Sequence, residues 1–173
     1  MRLLLLLLFS VVSSAAAEAT LFDYSSSAEF KFSSVDSLDA LTVDIVGTSC
    51  EAADFTIEVV GADGELAYRF ERPLKYLIPC MVLEKGPEEQ VKELCTRLVM
   101  KITSKGVAKT TSGLPEKQEP PDYPAFCSYH DEYDSLRERN LGMLCHAVTH
   151  EASTCVAWDP KMQEVVKVLT CGF

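Results

Sequence analysis

The sequence predicts an α+β domain in which antiparallel strands dominate, with one central amphipathic helix and disulfide bonds as cross-links. Short segments that alternate apolar and polar residues lie on both sides of a segment whose apolar residues recur at helical spacing. Seven cysteines all follow an N-terminal export signal. We therefore expect a single β-rich, disulfide-stabilised domain at residues 20–173.

The N-terminal segment has the pattern of a secretory signal peptide. A positive start at Arg2 precedes an apolar run at 3–12, and small residues continue to Ala19. The apolar run would rise only about 15 Å as a helix, about half the thickness of the hydrocarbon core, so it is too short for a membrane anchor. We expect a signal peptide at 1–19, a periplasmic or extracellular location, and no membrane insertion of the mature chain.

The cysteines of the exported part are expected to form disulfides, because an oxidising compartment favours disulfides over metal thiolates. They are Cys50, Cys80, Cys95, Cys127, Cys145, Cys155 and Cys171. Three bridges and one leftover thiol is the simplest arrangement of seven cysteines. Seven choices of the free cysteine times 15 pairings of the others gives 105 arrangements, so the pairing stays open.

Four segments in the first half of the chain predict an antiparallel meander. Period-two alternation at 28–32 and 41–45 indicates two half-buried strands. The alternating segments 55–59 and 66–70 flank turn residues at 61–64, which is the pattern of a hairpin. One buried face is expected to carry Phe30, Phe32, Val43, Ile45, Phe55, Ile57, Tyr68 and Phe70.

The apolar period changes to that of a helix between Gly86 and Thr103, with Pro87 at the first helical position. Two interpretations remain open here. The helix either runs through the whole segment or ends at Cys95, with a strand at 98–103. In both, Cys95 faces inward, as a bridge from the helix to the sheet or as the leftover thiol.

The segment 110–125 has no periodicity and contains half of the eight prolines, so it is predicted to be an exposed, semi-extended loop. Long loops in compact domains often carry function, although a plain surface connector is the alternative. The residues expected to bind a partner are Ser112, Gly113, Glu116, Glu119, Asp122 and Tyr123.

The last part of the chain predicts a short surface helix followed by strands. Tyr133 and Leu136 lie at helical spacing within 130–140, and Gly142 follows as a helix stop. Three further strands are expected at 143–149, 154–158 and 165–169, with a turn at 159–161 between the last two.

The charge balance limits the classes of partner. Sixteen Lys and Arg against 26 Asp and Glu give a formal net charge of -10, and removal of 1–19 leaves 15 minus 25, which is again -10. Such a charge disfavours nucleic acid as a partner. We expect a non-catalytic binding or inhibitory protein whose acidic surface and loop meet a cationic protein, such as a cell-wall hydrolase.

The sequence lacks the common motifs of catalysis and cofactor binding that would support a function other than binding or inhibition. The sequence contains no Gly-x-Ser-x-Gly, Cys-x-x-Cys or phosphate-binding loop, and we expect no cofactor. No metal site is expected either, because His146 and His150 would lie about 13 Å apart along one strand. Two alternatives remain open: a small secreted hydrolase that uses His130 or His146 with a nearby carboxylate, and a structural component of the cell envelope.

Overall fold

The computed structural model describes residues 22–80, 88–106, 109–117 and 126–172. Within them the strands are β1 (Phe22–Phe30), β2 (Asp39–Gly47), β3 (Asp54–Val60), β4 (Leu66–Pro73), β5 (Lys109–Thr110), β6 (Phe126–Tyr129), β7 (Gly142–Thr149), β8 (Ala152–Asp159) and β9 (Glu164–Gly172). The α-helices are α1 (Glu88–Lys101) and α2 (Tyr133–Glu138), and a π turn (Ile102–Gly106) continues α1. The predicted signal peptide at 1–19 lies outside the described residues.

The first sheet is the predicted meander, with strand order β1-β2-β3-β4 and antiparallel neighbours throughout. Its predicted apolar face is confirmed. The buried members are Phe30, Phe32, Val43, Ile45, Phe55 and Ile57, and the half-buried members packed against them are Tyr68 and Phe70.

The first strand differs from its predicted bounds of 28–32, since it begins at Phe22 and ends at Phe30. Serines at 25–27 interrupt its apolar alternation, and pairing with β2 holds this part of the strand in the sheet. Beyond Phe30, the fully buried Asp39 carboxylate accepts the backbone N–H groups of Phe32 (2.8 Å) and Ser33 (2.6 Å). These bonds keep Phe32 buried although it lies outside the strand.

The helical segment is continuous, so the alternative strand at 98–103 is wrong. Helix α1 runs to Lys101 and buries Cys95, Val99 and, at the start of the π turn, Ile102. The Thr103 hydroxyl donates to the Val99 carbonyl at 3.2 Å. Such a bond from a hydroxyl to the carbonyl four residues earlier competes with the helical backbone bonds and accompanies bending at helix ends. Pro87, the predicted first helical residue, lies outside the described residues.

The second sheet has the order β5-β7-β8-β9-β6, also antiparallel, and contains the three strands predicted after the short helix. Successive residues of a strand face opposite sides of the sheet, and both faces of this sheet are buried. On one side Leu144 and Val156 join the core formed by the first sheet and α1. On the other side, α2 packs on β7, β8 and β9. Its Tyr133 and Leu136 form a buried cluster with strand residues Met143, Ala157, Val166 and Val168. The chain is a β-rich α+β domain.

Three disulfides and one free cysteine confirm the predicted arrangement. Cys127–Cys171 joins β6 to β9 and Cys145–Cys155 joins β7 to β8, each between directly opposite residues with Cα atoms 4.1 and 4.0 Å apart. Cys50–Cys80 closes a separation of 30 residues in the first half of the chain. Cys95 is the buried free thiol.

The helix stop before β7 is made by a residue other than the predicted glycine. Asn140, with φ of 51°, adopts the left-handed conformation that ends the α2 segment. Gly142 lies in β7, and a Cβ there would be 1.8 Å from the carbonyl oxygen of Lys31. It is therefore required for close contact between the two halves of the chain. Among the described residues, no helix combines the length and apolar character needed to cross a bilayer.

Candidate functional site

The segment predicted to bind a partner begins as ordered structure. Strand β5 pairs with the start of β7, and a single 3-10 turn follows at Thr111–Gly113. Thr111 is fully buried, and it exchanges two hydrogen bonds with Leu141. Its N–H donates to the Leu141 carbonyl (2.9 Å), and its hydroxyl accepts the Leu141 N–H (2.8 Å). The entry to the loop is therefore fixed to the strand that follows α2.

Helix α2 holds the next residues of the loop. The Tyr133 hydroxyl donates to the Pro115 carbonyl at 2.9 Å, and the Arg137 Nε donates to the Leu114 carbonyl at 3.0 Å. The Ser112 hydroxyl donates to the Asn140 side-chain oxygen. Since Tyr133 is fully buried, its hydroxyl is a fixed donor. We call residues 111–117 the anchored segment.

The structure brings some of the predicted partner-binding residues together at the surface. Ser112, Gly113 and Glu116 are exposed on the anchored segment. Together with residues of α2, Ser112 and Glu116 line an open depression, which we call the acidic depression: Ser112, Glu116, Lys117, Asp134, Arg137 and Glu138. The other predicted residues, Glu119, Asp122 and Tyr123, lie outside the described residues.

The charges of the acidic depression are only partly compensated. Asp134 has Lys117 at 3.9 Å and Arg137 at 3.7 Å, and its side chain is 63% exposed, so both ion pairs are weak. Glu116 and Glu138 are exposed and have no cationic partner within the described residues. These two carboxylates are available to a cation from outside the molecule.

A buried ion pair that no sequence pattern predicts supports the far end of α2. Both guanidinium Nη atoms of Arg139 donate to the Asp159 carboxylate, one of them at 2.8 Å, and Asp159 is 1% exposed. The Lys161 N–H donates to the same carboxylate at 2.8 Å. The bonds from Arg139 hold the pKa of Asp159 well below its usual range. This pair ties the end of α2 to the β8–β9 turn.

The two histidines of the hydrolase alternative lie in different surroundings. His146 is buried, its Nδ1 donates to the Ala147 carbonyl (2.9 Å), and its Nε2 accepts the Tyr68 hydroxyl (2.7 Å). Burial lowers the pKa of His146 and raises that of Tyr68 to about 12. The His130 Nδ1 accepts the Glu132 N–H at 3.1 Å. Among the described residues, neither ring is bonded to a carboxylate, the partner that the hydrolase alternative assigns to it.

The two cysteines at 145–155 pair with each other. Since Cys145 and Cys155 are bonded in this way, neither supplies a thiolate. Within the described ranges, no three His, Cys, Asp or Glu side chains are grouped in a way that could hold a metal ion.

The acidic depression is thus the part of the described surface where predicted partner-binding residues lie beside exposed charged side chains. Comparison with known proteins adds no relative: the sequence matches no family model, no curated protein and no solved structure. The chemistry of the described surface is the basis on which a function can be assigned.

Proposed function

We propose that this chain is an exported, non-catalytic protein that binds or inhibits a cationic protein through the acidic depression. The observation that carries this proposal is the combination of a fixed backbone with unpaired surface charge. The anchored segment is held by Leu141, Tyr133 and Arg137. Glu116 and Glu138 stay exposed beside it. A preformed surface loses less conformational entropy on binding than a mobile loop does.

The charge of the whole chain supports a basic partner. A formal net charge of -10 attracts cationic proteins over distances of about a Debye length, which raises the rate of association. Lys or Arg side chains of the partner would pair with Glu116 and Glu138, whose carboxylates have no cationic partner within the described residues. Cell-wall hydrolases with basic surfaces fit this description.

Two features of the chain support export, which is part of the proposal. Three disulfides cross-link the domain, and such bonds persist in oxidising compartments. The sequence at 1–19 has the charge, apolar run and small residues of a signal peptide. A periplasmic or extracellular protein would meet cell-wall hydrolases directly.

The test is binding to a panel of basic secreted hydrolases, lysozyme among them, measured by biolayer interferometry at low and at high salt. We expect a micromolar or tighter dissociation constant for at least one enzyme, weakened as salt rises. The double variant Glu116→Gln with Glu138→Gln should weaken that binding about tenfold.

A matched control removes the same charge elsewhere. Asp23 in β1 and Asp54 in β3 are also exposed and lie at the end of the first sheet away from Lys31 and Gly142, so Asp23→Asn with Asp54→Asn changes the net charge equally. We expect this control to change the affinity by no more than about twofold, since distant charges are largely screened. Equal losses in the two double variants, or no binding to any enzyme, would refute the proposal.

A further inference from the structure

A second concavity, which we call the basic cleft, lies at the end of α1 and has a volume of about 350 Å³. Its walls come from three parts of the chain: the last turn of α1 with the π turn, strand β5, and the β7–β8 hairpin. Its polar lining is formed by Lys101, Lys109, His146, Thr149, His150 and Ser153. None of these residues belongs to the acidic depression.

The charge of the basic cleft is opposite to that of the chain. Lys101 and Lys109 come from different elements and line the same cleft, and within the described residues neither has a carboxylate partner. No described residue that lines the cleft is acidic, although the chain has 26 acidic and 16 basic residues. At the rim, His150 Nε2 lies 3.3 Å from the Glu151 carboxylate, and both side chains are more than half exposed. Two unpaired lysines in an acidic protein favour an anionic ligand.

An apolar surface lies beside these cations. Leu98 of α1 and Ala147 of β7 line the cleft and are half-buried, and Ile102 is buried next to them. Ligand sites in proteins combine such apolar walls with a few convergent polar groups, and the volume matches the lower end of their range. The cleft therefore suits a ligand with both an anionic group and an apolar body.

The walls of the basic cleft are held in place without a ligand. A Cβ on Gly106 would lie 2.8 Å from the Cys145 carbonyl oxygen, so glycine allows the π turn to pack directly on β7. The Ser104 hydroxyl donates to the Met100 carbonyl at 2.5 Å, and the Cys145–Cys155 disulfide fixes the hairpin. π turns within α-helices recur at functional sites.

We infer that the basic cleft binds a small organic anion, whose charged group pairs with Lys101 and Lys109 and whose apolar body packs on Leu98 and Ala147. Ligand binding here goes beyond the proposed function, because it uses a different surface and a ligand of opposite charge. A carboxylate, a sulfonate or a phosphate ester would satisfy the same two lysines.

The test uses anilinonaphthalene sulfonate, a fluorescent probe that carries one anionic group on an aromatic body. We expect saturable binding at one site, and the variant Lys101→Gln with Lys109→Gln should weaken it about tenfold. The matched control is Lys161→Gln with Lys167→Gln, which removes two exposed lysines outside the cleft and should leave binding unchanged. Phenylnaphthylamine, which has the same aromatic body without the sulfonate, should bind more weakly and respond to neither variant.

The location of the probe is measured independently on the unmodified protein by NMR. Addition of anilinonaphthalene sulfonate should shift the amide signals of Leu98, Ala147 and Ser153, which line the cleft. Absence of saturable binding, equal weakening in both lysine variants, or shifts confined to residues outside the cleft would each overturn the inference. The NMR result decides the matter even where the cleft variant does not fold.

Discussion

Removal of Arg139 is expected to be among the most destabilising single changes in the second half of the chain. Asp159 is 1% exposed, and in Arg139→Met its carboxylate loses both guanidinium bonds and keeps only backbone donors such as Lys161 N–H. Breaking a buried pair in this way costs about 3–5 kcal/mol, because the remaining charge is not solvated. We expect a loss of that size in the free energy of unfolding at pH 7, measured by urea titration with the disulfides intact.

The pH dependence gives a second, independent measure of the same pair. The pKa of Asp159 is lowered in the folded state, so the ionised carboxylate contributes its full stabilisation at pH values above the pKa of aspartate in the unfolded chain, about 3.9. This stabilisation is lost as the pH falls from that value through the lower pKa of the folded state. The difference in stability between Arg139→Met and the unmodified protein should therefore narrow from pH 5 towards pH 2. A loss below about 1 kcal/mol at pH 7, or a difference that does not change with pH, would refute the argument.

A surface pair of the same chemistry is the matched control. Arg97 and Glu93 approach to 2.6 Å on α1, with side chains 71% and 64% exposed. Water solvates Glu93 when its partner is removed, so Arg97→Met should cost no more than about 0.5 kcal/mol. The comparison separates the effect of burial from the loss of a positive charge.

Further predictions concern buried groups and one glycine. Burial raises the pKa of the Cys95 thiol to about 11, so iodoacetamide at pH 8 should label it in urea and leave it unmodified in the native protein, as mass spectrometry would show. Burial lowers the pKa of His146, so the unfolded chain takes up a proton below about pH 6.5 and the folded chain resists it. The free energy of unfolding should therefore fall as the pH is lowered from about 6.5 to about 5. Urea titrations should show a smaller fall for His146→Gln. Gly142→Ala would place a Cβ 1.8 Å from a backbone oxygen and should cost about 1–3 kcal/mol or more. Gly113→Ala, with no atom within 4 Å, should change the thermal midpoint little.

The elements that the sequence predicts are those whose own residues carry a periodic pattern. Strands β2, β3 and β4 and helix α1 each show apolar residues at the period of their structure, and all four form where expected. The two-residue strand β5 has no pattern of its own, since it is defined by its pairing with β7. Such short edge strands depend on the sheet beside them, which a single sequence does not display.

The contacts that build the candidate site also have no periodic pattern in the sequence. Arg139 and Asp159 are 20 residues apart in a chain with many charged residues, and nothing in their spacing indicates that they pair. The bond from Tyr133 to the Pro115 carbonyl spans 18 residues and joins a predicted helix to a predicted loop. The sequence therefore predicts which residues of the anchored segment are exposed, such as Glu116, and does not predict what holds them.

Helix α2 shows how the disulfides bear on the proposed function. It has six residues, too few to be stable in isolation, so its stability comes from packing of Tyr133 and Leu136 on the second sheet. Cys155 belongs to the same buried cluster and Cys145 packs against it, so their disulfide cross-links the sheet that α2 packs on. Because α2 in turn holds the anchored segment, the acidic depression depends on the oxidised sheet for its shape. A partner-binding surface built in this way is suited to an oxidising compartment, where the proposed cationic partner would be met.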